Sequence, residues 1–277
     1  MQSIHPSYRR GLGGVLFLLP LLLLARPAHA ATFSLLSQNC LHLGWGANPN
    51  KAVGLQTEFG LVPFDVILLQ EVMAGANVAA FIDPNQVGNY TIRVSGLKGS
   101  TGYKEAYAFI VHNNIPSSVV VDYPDPNGDF SRPPSGVLLQ TGGNWTWVVD
   151  YHAVFGRRKA VRVAEVQAMS GVYQWFQGFL AQGVAYPRVI IGGDWNLPGT
   201  DAAFGPLLGL TGTMTLAPDT ATSLKRNGGL SQRYDHFVWD TNHITVNNPS
   251  VVPGVNGNAW WRANVSDHLG IACQVNY

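Results

Sequence analysis

Short apolar runs recur along this sequence, and they limit it to a few architectures. The runs are rich in β-branched and aromatic residues and are bounded by Gly, Pro and Asn, which is the pattern of strands separated by turns. We predict strands at residues 33–40, 66–69, 107–111, 119–123, 137–140, 145–151, 188–191, 236–239 and 269–275.

One segment instead has the period of a long helix. Between residues 160 and 181, apolar side chains recur at spacings of three and four, at Val166, Met169, Tyr173, Phe176 and Leu180. Shorter helices are predicted at residues 51–59 and 76–82. Many strands with a few helices between them predict two packed sheets flanked by helices.

The first thirty residues have the pattern of an export signal. Arg9 and Arg10 precede the apolar stretch 15–24, and Ala28-His29-Ala30 has the form of a cleavage site. The stretch is shorter than the roughly 20 residues that span a membrane. We expect cleavage after Ala30 and a secreted or periplasmic protein with no stable membrane anchor, and an uncleaved signal anchor is the alternative.

The charge of the remaining chain, residues 31–277, excludes a protein coated in positive charge. Removal of residues 1–30 leaves 14 Lys and Arg against 16 Asp and Glu, a net charge near −2. Any contact with nucleic acid must therefore come from a local patch. The length fits one domain, and we expect a monomer with no protein partner.

The two cysteines, Cys40 and Cys273, are open to two interpretations. Export permits a disulfide, but both residues lie in predicted strands, and we favour buried, unpaired thiols. Their spacing does not suggest a structural zinc site.

Polar residues stand where several predicted strands begin or end. A charged group in such a place is costly unless it is paired or bound to a metal. Each motif alone is weak, but together they predict one site at one rim of the sheets, made by Asn39, Glu71, His152, Asp194, Asn196, Asp267 and His268.

The order of these motifs resembles the endonuclease/exonuclease/phosphatase superfamily, and within it the deoxyribonuclease I group. The matching residues are Asn39, Gln70-Glu71, His152, Gly193-Asp194-Trp195-Asn196, Asp235 and Ser266-Asp267-His268. The segments 103–109 (YKEAYAF) and 129–134 (DFSRPP) resemble that group more closely. The resemblance implies a four-layer α/β/β/α sandwich.

The resemblance also implies metal-dependent hydrolysis of a phosphodiester. Glu71 would anchor a hard cation, Mg²⁺ or Mn²⁺, because such ions prefer oxygen ligands. Asn39 and Asp267 would complete or support this metal site, while Asp194 and Asn196 would position the water and the phosphate.

Two histidine–carboxylate pairs are available for proton transfer, Glu105 with His152 and Asp235 with His268. A carboxylate orients its imidazole and favours the protonated form. The resemblance implies that one pair acts as base and the other as acid. We assign His268 as the base toward water and His152 as the acid toward the leaving oxygen.

For substrate binding, the resemblance implies that Arg132 holds a nonbridging phosphate oxygen and that Tyr103 contacts the groove of DNA. The group also has two groove-binding arginines, and their positions here are the apolar Leu41 and Met73. Binding in the groove of duplex DNA is therefore less well supported than the cleavage machinery.

A basic cluster follows His152 by a few residues. Arg157, Arg158 and Lys159 could contact phosphates in place of the missing arginines. The alternative is a solvated helix start, although cations are unfavourable at a helix N-terminus.

Two further segments could hold a structural Ca²⁺ with oxygen ligands. The first is residues 125–129 (DPNGD), where a solvated turn is favoured, and the second contains Asp219, Thr220 and Thr222.

Three functions remain open at this point. The first is a secreted endonuclease with DNA as its substrate. The second is a phosphoesterase acting on a lipid, like a sphingomyelinase, or on a small phosphate; Trp260-Trp261 would then be a membrane-contacting loop rather than core. The third, a non-catalytic binding module, is disfavoured because no expected catalytic position is substituted.

Overall fold

The computed structural model describes residues 32–46, 48–61, 64–99, 103–156 and 158–277, so the predicted export signal and Arg157 lie outside the described residues. Its strands are β1 Thr32–Leu43, β2 Val66–Met73, β3 Tyr90–Val94, β4 Glu105–His112, β5 Val121–Asp122, β6 Ser135–Thr141, β7 Asn144–His152, β8 Leu180–Ala181, β9 Val184–Ala185, β10 Val189–Asp194, β11 Met214–Ala217, β12 Asp235–Asp240, β13 Thr245–Val251 and β14 Ile271–Asn276. Its α-helices are α1 Pro49–Leu61, α2 Lys159–Gly178, α3 Gly205–Leu208 and α4 Asn258–Asn264. None of the helices in these ranges is long and apolar enough to cross a membrane.

Twelve of the strands form two mixed sheets of six. The first has the order β13-β14-β1-β2-β4-β3, and the second has the order β11-β12-β10-β7-β6-β5. In each sheet two central strands are parallel, β1 with β2 and β7 with β10, and their neighbours run antiparallel to them. All eight residues of β2 are buried, because a central strand is covered on both faces.

Three hydrophobic clusters define four layers. Between the sheets, Leu35 and Phe109 of the first sheet pack with Val148 and Phe237 of the second. On the outer face of the second sheet lies α2, and on the outer face of the first lie α1 and α4. The predicted α/β/β/α sandwich is confirmed.

The long helix ends three residues earlier than its apolar pattern predicts. Val166, Met169, Tyr173 and Phe176 form the buried stripe, but α2 ends at Gly178. Leu180 lies in the small β8–β9 hairpin and is 63% exposed. The turn residues of this hairpin, 182 and 183, both have positive φ, which two-residue hairpins favour.

The other differences from the prediction have local causes. The predicted helix 76–82 is only a 3₁₀ turn, Val78–Phe81. Pro84 lies two residues after the predicted end at residue 82, and it disfavours helical backbone at Asp83. Strand β13 was not predicted; it is an edge strand with a bulge, where Pro249 is tolerated. Strands β3 and β11 and helix α4 were not predicted either.

Both cysteines are buried and unpaired, as favoured above. Cys40 lies in β1 and Cys273 in β14, and burial raises the pKa of each thiol far above its ordinary value. Both thiols are therefore inert.

Candidate active site

Strand polarity brings the predicted residues to one rim. The carboxyl ends of the parallel strands carry Asn39 and Glu71 in the first sheet and His152 and Asp194 in the second. Antiparallel neighbours begin at the same rim, and they contribute Glu105 at the start of β4, Asp235 at the start of β12 and His268 just before β14.

Both predicted histidine–carboxylate pairs are formed, and both point at one oxygen. His152 Nδ1 lies 2.6 Å from Glu105 Oε1, and His268 Nδ1 lies 2.8 Å from Asp235 Oδ2. The opposite ring nitrogens, the two Nε2 atoms, lie 3.6 and 3.5 Å from Asp194 Oδ2. Two imidazoles, each oriented by its own carboxylate, thus face a shared centre.

Asp194 is the hub of this arrangement. Its Oδ2 accepts a 3.0 Å hydrogen bond from Asn39 Nδ2, which joins the two sheets, and its Oδ1 accepts from the Asn196 backbone N–H at 2.9 Å. A Cβ on Gly193 would lie 1.8 Å from the Tyr151 carbonyl oxygen, so only glycine fits there. Burial raises the pKa of Asp194.

Glu71 has a strained backbone conformation, and three donors hold its side-chain carboxylate. Its φ is +59°, a value uncommon outside glycine. Oε1 accepts from Asn39 Nδ2 at 3.1 Å, while Oε2 accepts from the His42 backbone N–H at 3.0 Å and from the Tyr103 hydroxyl at 3.1 Å. This carboxylate is therefore fixed in orientation before any ligand binds.

Asn39 and Asp267, which were also predicted at the metal site, have different surroundings. Asn39 turns its side-chain nitrogen Nδ2 to the carboxylates of Glu71 and Asp194, and its side-chain oxygen Oδ1 accepts from the Leu41 N–H at 2.9 Å. In this arrangement Asn39 supports the ligands rather than joining them. Asp267 lines the same cavity, and its Oδ2 lies 3.9 Å from Arg262 Nη2.

A second grouping of possible ligands also involves the hub. Within the described residues, Asp194, Asp235 and His268 each bring one ligand atom within 4.8 Å of the others. Because His268 Nδ1 is hydrogen-bonded to Asp235, we take this group mainly as a proton-transfer pair beside a carboxylate.

Arg132 is buried beside the first pair. Its Nε lies 3.2 Å from Glu105 Oε1, and Nε and Nη2 donate to the carbonyl oxygens of His152 and Ala153. The guanidinium therefore positions the His152 strand end as well as lining the cavity.

These contacts set the charge of the two imidazoles. Burial and Arg132 act to lower the pKa of His152, but Glu105 outweighs them and leaves it above its ordinary value. Burial likewise opposes the charged form of His268, yet Asp235 and Asp194 raise its pKa well above the usual range. For Glu105 burial acts upward, and His152 and Arg132 hold its pKa below its usual value.

The rim encloses a cavity of about 610 Å³. Glu71, Asp194, His152 and His268 lie in its wall, together with Tyr103 and Phe155. This volume is within the range of roughly 300–1,000 Å³ that is typical of small-molecule sites.

The predicted phosphate-binding cluster is only partly described. Arg157 lies outside the described residues, and Arg158 is exposed at the start of α2. Lys159 Nζ forms a 2.6 Å ion pair with Asp201 Oδ2, so part of the cluster's charge is already neutralised.

The two segments considered for Ca²⁺ use their oxygens on protein donors. Asp125 accepts the backbone N–H groups of Asp129 and Phe130, which is the turn that was favoured. Asp219 is paired with Arg233 at 2.8 Å, and the Thr222 hydroxyl accepts from backbone N–H groups.

Three contributors were missed from the sequence. The Tyr107 hydroxyl accepts the His152 N–H and donates to the Arg132 carbonyl; its place on the Glu105 face of β4 was a usable signal. His42 and Lys51 act on a bulge at the end of β1, where Leu41 has a φ of +45°. The sequence carries no signal for such a bulge.

Comparison with known proteins agrees with this geometry. The sequence profile described as the Endonuclease/Exonuclease/phosphatase family matches residues 36–268. A deoxyribonuclease of Thioalkalivibrio sp. is 26% identical over 197 residues, which cover 69% of this chain and 52% of that protein. The chain thus spans about half the length of this curated relative.

Solved structures share the fold at low identity. D. rerio TDP2 complexed with single strand DNA product is 17% identical with a TM-score of 0.63, and the match covers 89% of this chain and 99% of that one. An endonuclease/exonuclease/phosphatase from Bacteroides vulgatus is 12% identical with a TM-score of 0.64, covering 88% and 98%. At these identities the likeness shows the fold alone.

Proposed function

Because this chain belongs to the Endonuclease/Exonuclease/phosphatase family, we propose that it is a divalent-metal-dependent endonuclease that hydrolyses phosphodiester bonds of DNA. Membership makes the chain a phosphoesterase, and enzymes of this family depend on divalent metal ions. The choice of DNA and of an internal bond is the proposed part.

The convergence of two oriented imidazoles on Asp194 carries the proposal. Hydrolysis of a phosphodiester needs one group to take a proton from water and another to give a proton to the leaving oxygen. His152 and His268 lie 3.6 and 3.5 Å from the same carboxylate oxygen. Each ring therefore reaches the reacting centre while its own carboxylate holds it from behind.

The residues present fit a hard divalent cation. Glu71 and Asp194 are buried carboxylates linked through Asn39, and burial raises the pKa of Asp194, a cost that a bound cation offsets. We propose that Glu71 is the principal ligand, with Asp267 at the edge of the same cavity. When bound, Mg²⁺ or Mn²⁺ supplies positive charge at the phosphoryl oxygens.

Within this arrangement each histidine has one proposed role. With the charge of a cation bound beside Asp194 favouring its neutral form, His268 would take the proton of the attacking water at Nε2, and Asp235 would stabilise the resulting imidazolium through Nδ1. His152 gives its Nε2 proton to the leaving oxygen, and Glu105 holds the ring. Asp194 and Asn196 position the water and the phosphate, and Arg132 stabilises the charge beside them.

Two relatives support nucleic acid as the substrate. The curated relative is a deoxyribonuclease, and the TDP2 structure contains a single-stranded DNA product. The lipid alternative predicted a membrane-contacting loop at Trp260-Trp261, but Trp261 is fully buried with its Nε1 donating to the His268 carbonyl at 2.8 Å, and Trp260 is partly buried against the same hydrophobic cluster. A buried, hydrogen-bonded Trp261 belongs to the core and not to a membrane-contacting loop.

The decisive experiment compares substrates with and without metal. Purified protein is incubated with plasmid DNA, RNA and sphingomyelin vesicles in excess chelator and then with Mg²⁺ or Mn²⁺. We expect cleavage of DNA only after metal is restored. Full cleavage in excess chelator, or hydrolysis of sphingomyelin alone, would contradict the proposal.

We also propose that the protein acts outside the cytoplasm after loss of residues 1–30. The proposal rests on Arg9 and Arg10, the apolar stretch 15–24 and the Ala28-His29-Ala30 site. Sequencing of the exported protein from its N-terminus should begin at Ala31. An intact N-terminus on membrane-bound protein would indicate a signal anchor instead.

A further inference from the structure

We propose that the catalytic cavity takes its DNA as an unpaired single strand, whose bases stack on Trp45 and Phe155 at the rim. This inference rests on the proposed nuclease function and adds the form of the substrate and the residues that select it. It has three independent supports: which apolar residues are exposed, where the charge lies, and how the two rings are held.

Exposed aromatic rings are concentrated at this rim. Eleven large hydrophobic side chains are exposed among the described residues, and nine of them are Val or Leu scattered over the surface. The two aromatic ones are Trp45, which is 50% exposed, and Phe155, which is 67% exposed. Phe155 lines the cavity, and Trp45 packs on His42 and Tyr103, which also line it.

The cavity wall offers little free positive charge. Of the described residues that line the cavity, Arg132 is the only Lys or Arg, and Glu105 and two backbone carbonyls already engage it. Binding to duplex DNA draws most of its affinity from Lys and Arg at phosphates. Single-strand binding also uses phosphate contacts, but it gains further affinity from bases stacked on aromatic side chains, and this rim has aromatic groups for that contribution.

Both rings are held in place before substrate arrives. The Trp45 ring lies 4.8 Å from that of His42 and 5.5 Å from that of Tyr103, in a tilted and an edge arrangement. Gly44 beside it packs so closely that a Cβ would lie 2.6 Å from the Ala76 Cβ. Fixed rings lose little conformational entropy when they bind a partner.

Phe155 is held from one side by a cation. The Arg162 guanidinium lies 5.5 Å from its ring centroid, within the range of a cation–π contact. Trp45 follows β1 of the first sheet and Phe155 follows β7 of the second, so each sheet contributes one ring to the rim. A strand whose phosphate is at the hub then has an aromatic residue from each sheet beside it.

Only an unpaired strand can use these rings. In a duplex each base is stacked on its neighbours, and its faces are covered. In a single strand the faces are free, and each stacked base contributes to affinity with little regard to sequence. The rim thus selects the form of the strand and leaves its sequence open.

The test measures kcat and KM on four substrates: oligo-dT, a duplex of equal length, oligo-rU and bis(p-nitrophenyl) phosphate. The variants are Trp45→Ala, Phe155→Ala and the double variant, with Trp45→Phe and Phe155→Tyr as conservative replacements. Leu180→Ala is the matched control, because Leu180 is 63% exposed and does not line the cavity. The oligo-rU arm shows whether the rim distinguishes DNA from RNA.

We expect each Ala variant to raise KM for oligo-dT about tenfold, which is within the range measured for base stacking. The value of kcat and the hydrolysis of the nitrophenyl diester should stay within about twofold of wild type. The conservative variants should retain most of the affinity. Equal losses on duplex and single strand, or no loss at all, would overturn the inference.

Binding without cleavage separates this inference from the nuclease proposal. In excess chelator, oligo-dT should quench tryptophan fluorescence, and Trp45→Phe should remove that quench. A Trp45-dependent quench in a protein that cleaves no DNA would refute the nuclease proposal alone. Cleavage of oligo-dT with no dependence on either ring would refute only the proposed stacking on Trp45 and Phe155. Ring-dependent binding only to sphingomyelin vesicles would refute both the stacking and the nuclease proposal.

Discussion

Two groups of buried carboxyl side chains differ in a way that separates chemistry from packing. At the rim, Glu105 and Asp235 are each hydrogen-bonded to a histidine. In the interior, Glu58 has no hydrogen-bond partner at either oxygen, and Asp150 accepts from the neutral amide of Gln70 instead of a histidine. The four are about equally buried, so burial alone does not mark a catalytic carboxylate.

The pKa values follow the partners. His152 and Arg132 hold the pKa of Glu105 below its usual value even though burial acts the other way. Burial raises the pKa of Glu58 to about 8 and that of Asp150 to about 8. At the rim, Glu105 is therefore favoured in its charged form beside an imidazole, whereas burial favours the neutral form of Glu58 and Asp150 in the interior.

The largest expected effect comes from removing the rim partners. His152→Ala and His268→Ala should each reduce kcat on DNA by roughly 10²–10⁴, the usual range for general acid–base catalysis. The double variant should lose less than the product of the two, because the residues act as one unit. His112→Ala, at a histidine outside the cavity wall, is the control. Near wild-type turnover in either single variant would remove that residue from the site.

The same variants distinguish acid from base. Nitrophenolate leaves as a stable anion and needs no proton, so a variant lacking the acid should still cleave bis(p-nitrophenyl) phosphate. His152→Ala should therefore recover most of its activity on this substrate, and His268→Ala should not. The reverse result would exchange the two roles and leave the site itself in place.

The second prediction concerns stability and the interior carboxyls. The pKa of Glu58 in the folded protein, about 8, is above the ordinary value of 4.5, so the stabilising contribution of Glu58 is full below pH 4.5 and is lost as pH rises to 8. The free energy of unfolding of Glu58→Gln, relative to that of wild type, should rise by about 3–5 kcal/mol between pH 5 and pH 9. Urea unfolding at both pH values measures this gain.

Asp150→Asn should shift the pH dependence in the same direction, and Asp129→Asn, at an exposed carboxylate, is the control. If the unfolding free energies of wild type and Glu58→Gln change in parallel with pH, Glu58 is not a neutral buried acid. The contrast between rim and interior would then fail.

A third prediction concerns Lys51, whose side chain supports the end of β1 next to Glu71. Buried Lys51 donates through Nζ to the Cys40 carbonyl at 2.7 Å and to the Leu41 carbonyl. These contacts hold the bulge from which the His42 N–H reaches Glu71. Lys51→Met should raise the Mg²⁺ concentration for half-maximal activity about tenfold, within the usual cost of losing a group that orients a ligand. An unchanged Mg²⁺ requirement would make Lys51 a packing residue only.

The smallest expected effect concerns the entrance. Arg158 is exposed, whereas Lys159 is paired with Asp201. Each phosphate neutralised contributes about 0.7 to the slope of log K against log salt on single-stranded DNA, and about 0.9 on duplex DNA. Arg158→Ala should flatten the slope by about that amount, and Lys159→Ala by less. Equal slopes in all three proteins would leave the cluster as a solvated helix start.

The sequence predicted what depends on order and periodicity. Apolar runs gave nine strands and the layer arrangement, and polar residues at strand ends gave Glu71, Asp194 and His268 of one rim. The runs could not show β13, an edge strand with mostly exposed residues. They also could not show how Lys51 supports the site, since its partners are backbone carbonyls.

Residue types alone could not show which of the buried carboxyl groups belong to the candidate site. Asp150 lies two residues before His152 on β7, so the two side chains are on the same face of the strand, and both meet a residue of the first sheet. Nothing in the local sequence says that His152 meets the carboxylate of Glu105 while Asp150 meets the amide of Gln70. That depends on the packing of the sheets, which places Gln70 Nε2 2.6 Å from Asp150.

The pairing of β1 with β14 determines when during synthesis this enzyme becomes active. Asn39 comes from the first strand and His268 from just before the last, and the Ser266 hydroxyl joins them by donating to the Asn39 carbonyl at 2.6 Å. A chain made only through β12 contains Glu105 and His152 but not His268. Under the proposed mechanism it would lack half of the proton-transfer machinery until the segment before β14 is made.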